Sequence, residues 1–262
     1  MASPEVSPNR STTQITRLLQ IMETLRDPED GCEWDLAQSH ATIVPHTIEE
    51  AYEVADAVER GDIDDLRSEL GDLLFQVVFQ ARIAEEAGNF DFEAVAQAMS
   101  DKLEARHPHI FGDETIPGGM NETRWETIKA GEREEKGATS ALDGVPRTFP
   151  ALMRAGKLQK RAARTGFDWP DVVGPAEKLI EEIAELQEAE TADDRFEEAG
   201  DLLFAAVNTV RAYGIDPEEA LRRANDKFER RFRAMEDAAN GTFETLDLDA
   251  QEALWQQVKR AE

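Results

Sequence analysis

The feature that most constrains this chain is an acidic helix pair that occurs twice. In the first half, Thr47-Ile48-Glu49-Glu50-Ala51-Tyr52-Glu53 is followed by Ser68-Glu69-Leu70-Gly71-Asp72-Leu73-Leu74-Phe75. In the second, Ile180-Glu181-Glu182-Ile183-Ala184-Glu185 is followed by Glu198-Ala199-Gly200-Asp201-Leu202-Leu203-Phe204. Glu50 and Glu53 are spaced to share one helix face, and so are Glu69 and Asp72. Turn-forming residues lie midway between the pairs: Gly61-Asp62 in the first copy, Thr191-Ala192 ahead of Asp193-Asp194 in the second. An antiparallel hairpin folded there sets four carboxylates level with one another. Like charges so placed repel unless a cation joins them. Oxygen donors with neither Cys nor His suit Mg²⁺, with Mn²⁺ as a substitute.

The doubling extends beyond the carboxylates. Trp34 matches Trp169, Lys102 and Arg106 match Lys227 and Arg231, and Trp125 and Lys129 match Trp255 and Lys259. The order is kept and the offset drifts only in loops, as in a tandem duplication of one module. Neither half shows strand alternation, so the expected fold is all-α, a helical bundle built twice. A match such as Val78 with Val207 is explained by packing. The charged and tryptophan matches have no such reason, so they are the candidate site. Gly71 and Gly200 sit inside helices, where Gly costs about 1 kcal/mol against Ala. Their recurrence suggests a close helix approach beside the carboxylates.

Apolar spacing predicts a helix over Ile15–Leu25, ended by Arg26-Asp27-Pro28, then a loop at 29–35 with Trp34. The first acidic helix is expected at 46–59, with Thr47 as N-cap and Glu50 completing a capping box. Helices follow at 63–87, 91–106 and 122–136. His107 and His109 have no third ligand nearby and fall short of a zinc site. The second half reads as helices at 149–163, 173–190, 195–212, 217–239 and 249–260. The expected division is a disordered tail at 1–12, modules at 13–136 and 151–262, and a linker at 137–150 rich in Gly and Pro.

Composition narrows the function. Of 262 residues 56 are acidic and 29 basic, a formal charge of −27, which argues against nucleic-acid binding. One cysteine, Cys32, cannot form an intrachain disulfide, and no apolar leader or bilayer-spanning stretch is visible; the expected location is the cytoplasm. Metal-binding carboxylates followed by Lys and Arg at i, i+4 suit hydrolysis of a phosphoanhydride. Lys227 and Arg231 would offset charge on a leaving pyrophosphate, and Glu49 or Glu181 could orient or deprotonate water. There is no P-loop.

The pattern Glu-Glu-x-x-Glu followed by Glu-x-x-Asp resembles that of the MazG nucleoside triphosphate pyrophosphohydrolases, of the all-α NTP pyrophosphatase superfamily. The resemblance covers residues 15–262 and holds in both halves, at Glu49, Glu50, Glu53, Glu69 and Asp72 and at Glu181, Glu182, Glu185, Glu198 and Asp201. It implies Mg²⁺-dependent conversion of an NTP to NMP and diphosphate, broad over ribo- and deoxyribonucleotides, in a homodimer of intertwined modules. It carries metal ligation to Glu182, Glu185, Glu198 and Asp201, and substrate contact to Lys227, Arg231, Trp255 and Lys259. Trp34, Lys102, Arg106, Trp125, Lys129 and Trp169 occupy matching or related positions. In two-module members the C-terminal copy is linked to hydrolysis; for the N-terminal copy a second active site, a nucleotide sensor and a dimerisation element all stay open. The rival readings are a base-restricted dUTP or dCTP pyrophosphatase and a non-enzymatic acidic regulator.

Overall fold

The computed structural model describes residues 10–112, 122–135 and 137–262, with no side-chain detail at 10–13 and 122–123. Most of the expected tail at 1–12 therefore lies outside the described residues, but its end, from Arg10, is helical. Among the described residues there is no strand. The helices are α1 (Arg10–Leu25), α2 (Glu33–Leu36), α3 (His40–Arg60), α4 (Ile63–Glu86), α5 (Phe92–Arg106), α6 (Pro108–Phe111) and α7 (Glu122–Glu135). After them come α8 (Ala151–Arg164), α9 (Val173–Glu188), α10 (Ala192–Ala212), α11 (Pro217–Ala239) and α12 (Leu248–Ala261).

The chain forms two units, Met1–Trp125 and Glu126–Glu262. The division falls within α7, ahead of the expected linker at 137–150. Side chains explain the difference: Glu126 pairs with Arg164 of α8 at 2.8 Å, and Arg161 donates to the carbonyl oxygens of Ala141 and Asp143. These bonds tie Glu126, Ala141 and Asp143 to α8 of the second unit.

In the first unit, α3 and α4 form the expected hairpin. Gly61 ends α3 at φ 69°, a left-handed conformation that glycine adopts without steric cost. Asp62 then caps α4 by accepting from the Asp65 amide. The start of α3 differs from expectation. Ser39, not Thr47, is the N-cap, in a reciprocal capping box with Thr42. Pro45 lies inside the helix, and Thr47 Oγ1 merely bonds back to the Ile43 carbonyl at 3.2 Å. Helix α2 likewise adds one helical turn to the expected loop around Trp34. The core joins Met22, Ile43, Val78 and Phe79. Arg26, just after α1 and itself buried, grips Glu86 of α4 at 2.7 Å and donates to the Asp35 and Gln38 carbonyls.

In the second unit, Thr191 and Asp194 form a capping box that opens α10 after the turn from α9. Helix α8 packs on α10 and α11, and α12 on α11. Gln159 of α8 donates to the Phe204 carbonyl of α10 at 2.8 Å. Among the described residues of either unit, no helix makes the close approach expected at Gly71 and Gly200: a Cβ built on either would meet nothing within 4 Å. Both face open space, so neither is required by packing inside the unit.

Candidate active site

Each hairpin brings acidic side chains together. In the first unit, oxygens of Glu50, Glu69 and Asp72 lie within 4.8 Å of one another. Glu53 adjoins them: burial, then the hydrogen bond that protonated Glu50 donates to Glu53, makes Glu50 hold its proton more tightly than usual. In the second unit, oxygens of Glu182, Glu185 and Glu198 converge within the same 4.8 Å limit. Asp201 stands beside them and, with Glu182, lines the adjacent cavity. Burial first, and then the charges of Glu182 and Asp201, push the Glu198 carboxyl up. Glu185 is pushed up mainly by burial, against the opposing pull of Lys178. An oxygen-only donor set with unbalanced negative charge fits Mg²⁺ or Mn²⁺ and gives a thiophilic metal no ligand.

Lys178 is the residue that sequence reasoning missed. Its Nζ lies 2.7 Å from Glu181 and 2.8 Å from Glu182, and 3.8 Å from Glu185. The signal was present: Lys178 precedes Glu181 and Glu182 by three and four residues, on the same helix face. His46 holds the corresponding place in the first unit, 3.6 Å from Glu49. The second acidic group thus carries a built-in lysine where the first unit has a histidine.

A cavity of about 530 Å³ opens beside the second group. Lys178, Glu182 and Asp201 lie along it, with Phe167, Trp169 and Phe204 among its apolar residues. Gly174 sets the position of Trp169, because a Cβ there would collide with the indole. The residue matching Asn208 of this cavity is Phe79, fully buried in the first core beneath the Arg26 guanidinium. The first unit fills with a phenyl ring what the second leaves hollow.

The other expected substrate residues are placed differently. Lys227 and Lys259 are exposed, and Arg231 is held by Glu262 at 2.6 Å while lying over the Trp255 ring. None of these four lines the cavity. In the first unit Arg106 lies over Trp125, Lys102 is exposed, and Trp34 stands edge-on to His46. Lys129, in the second unit, pairs with Glu126 at 3.1 Å.

Residues 38–111 match the family model of the MazG nucleotide pyrophosphohydrolase domain, and residues 154–228 match that of phosphoribosyl-ATP pyrophosphohydrolase. Each match contains one acidic hairpin. The chain is 54% identical over 258 residues to the nucleoside triphosphate pyrophosphohydrolase of Escherichia coli K12, covering 95% of this chain and 98% of that one. It is 43% identical over 245 residues to the nucleoside triphosphate pyrophosphohydrolase/pyrophosphatase MazG of Thermotoga maritima, covering 92% and 94%. YabN of Bacillus subtilis, whose function its name leaves open, is 41% identical across 95% of this chain and 52% of its own length. Matched carboxylate hairpins in both halves, and likeness over almost the whole length of two such enzymes, place this chain in the MazG family of nucleotide pyrophosphohydrolases.

Proposed function

We propose that the protein hydrolyses nucleoside triphosphates to the monophosphate and diphosphate, with Mg²⁺, over a broad range of ribo- and deoxyribonucleotides, and that the second unit is its main active site. The observation that carries this reading is the pairing, in that unit, of an acidic group with an adjoining cavity of nucleoside size. Glu182, Glu185, Glu198 and Asp201 would hold the metal. When bound, it polarises phosphoryl oxygens and acidifies a coordinated water. Glu181, on the exposed side of the group, is the proposed acceptor of the water proton; Glu49 is its counterpart in the first unit. Lys178 balances the carboxylates from within helix α9.

The homodimer belongs to the same proposal. Ile180 and Ile183 of α9, Leu203 of α10 and Leu70 and Leu74 of α4 are exposed apolar residues near the acidic motifs. With Gly71 and Gly200 open beside them, a second copy could approach each helix closely. Such a copy would also supply a route for Lys227, Arg231, Trp255 and Lys259 to reach substrate. No helix among the described residues is long and apolar enough to cross a membrane. The free, exposed Cys32 supports a reducing cytoplasm as the working compartment.

The test is product analysis with Mg²⁺ and a panel of NTPs and dNTPs. Monophosphate and diphosphate in equal amounts from all bases are expected. Turnover confined to dUTP or dCTP would replace the broad reading with a restricted one. Absence of turnover with every nucleotide would overturn the enzymatic reading.

A further inference from the structure

We infer that the cavity of the second unit is a nucleobase subsite in which the Nδ2 amide of Asn208 donates to an acceptor atom of the base. This rests on the proposed reaction and names how its substrate is read. Asn208 is buried, with 7% of its surface exposed, and lines the cavity. Its Oδ1 accepts from Arg211 Nε at 3.0 Å and Nη2 at 2.5 Å. Arg211 in turn donates to both carboxylate oxygens of Asp168, at 2.6 Å and 3.0 Å. Two guanidinium donors on one atom of the amide identify that atom as the oxygen, since a guanidinium has no acceptor to offer the nitrogen. The orientation of Asn208 is therefore fixed from behind. Among the described residues its Nδ2 donates to no partner, yet it is not among the fully occluded unpaired atoms. A nearly buried donor, held in place and left unused, points to a ligand atom.

The surroundings specify the ligand. Trp169 and Phe167 are aromatic residues of the cavity lining, and every base can stack on an aromatic ring. The carboxylates and Lys178 mark the polyphosphate end of the same cavity. Each common base carries a ring nitrogen or carbonyl acceptor, so a donor at this position can serve all of them. That is a physical basis for tolerance toward bases. At the matched position of the first unit, Phe79 provides neither a donor nor space.

The experiment compares kcat/KM for ATP with that for ribose 5′-triphosphate, which lacks the base, in the wild type, N208L and N208D. N208D keeps the shape and the Arg211 contacts but has no N–H to donate. AMP affinity is measured calorimetrically on the same three proteins, and circular dichroism reports folding. The expected result is that both variants lose at least about tenfold of the wild-type preference for ATP over ribose triphosphate, and bind AMP correspondingly more weakly. Folded N208D with preference and AMP affinity intact would overturn the subsite. If the wild type releases no diphosphate from any NTP, the reaction is wrong; AMP binding that weakens in N208D would then still uphold the subsite, and AMP binding unchanged in N208D, or absent, would remove it too.

Discussion

At the scale of single residues, the carboxylates of α9 and α10 are separable by substitution. Glu185 is exposed and Glu198 half-buried, so truncating the α9 member should spare the fold. E185A and D201A should each lower diphosphate release at least about 100-fold, with the helical circular dichroism unchanged. The paired variant E53A/D72A should leave most of the activity in place, because its cluster adjoins a filled core. Both acidic motifs were legible in the sequence, since carboxylates three apart declare a shared face. Lys178 was legible in principle by the same spacing, but attention to negative charge hid it. Asn208 was not legible. An asparagine within an apolar helix says nothing of its partners until Arg211 and Asp168, the latter from a preceding loop, are folded against it. Gly174 makes a further point testable: G174A should displace the indole of Trp169, seen as a shift in tryptophan emission and a KM raised several-fold, with kcat changed less.

At the scale of elements, hairpin turns were read well because Gly, Asp and Thr have local reasons to sit there. The start of α3 was misread because Thr47 and Glu50 have the spacing of a capping box, whereas Ser39 and Thr42 cap the helix about two turns earlier. Gly71 and Gly200 signalled a close approach without its partner, because a sequence shows that a side chain is missing but not which way its place faces. The joint between α1 and α4 yields a prediction of its own. Glu86 is held well below the usual carboxylate range chiefly by its hydrogen bond to Arg26. Such a group stabilises above the pKa of the unfolded chain, and the contribution is lost as pH falls through the depressed folded value. E86A would leave the buried Arg26 without its carboxylate, and urea unfolding should show a loss of about 3 kcal/mol at neutral pH. That difference should shrink on acidification below about pH 4, where the unfolded-state carboxylate is protonated.

At the scale of the whole molecule, the acidic groups oppose folding when nothing binds them. Glu50, Glu69, Glu185 and Glu198 are all pushed up, burial being the largest cause in each. A carboxyl whose folded value is raised binds more protons in the native state, so stability falls as pH rises from the unfolded value through the folded one. The metal-free protein should therefore bear a strain at pH 7.5 that is relieved as pH falls through the raised folded values toward the unfolded one, about 4.3 for Glu. Mg²⁺ should raise Tm more at pH 7.5 than at about pH 4.3, the unfolded-state value for Glu, and scanning calorimetry at both values checks it. A Tm increment independent of pH would remove the carboxylates as the binding groups.

The duplicated halves also answer differently to a visitor from solution. Beneath Arg26 the first half already contains, covalently attached, a six-membered carbon ring seated against methionine and isoleucine. Its twin keeps the equivalent berth free. A nucleotide titration followed by calorimetry should accordingly saturate at a single equivalent per polypeptide, however many divalent ions the same polypeptide takes up.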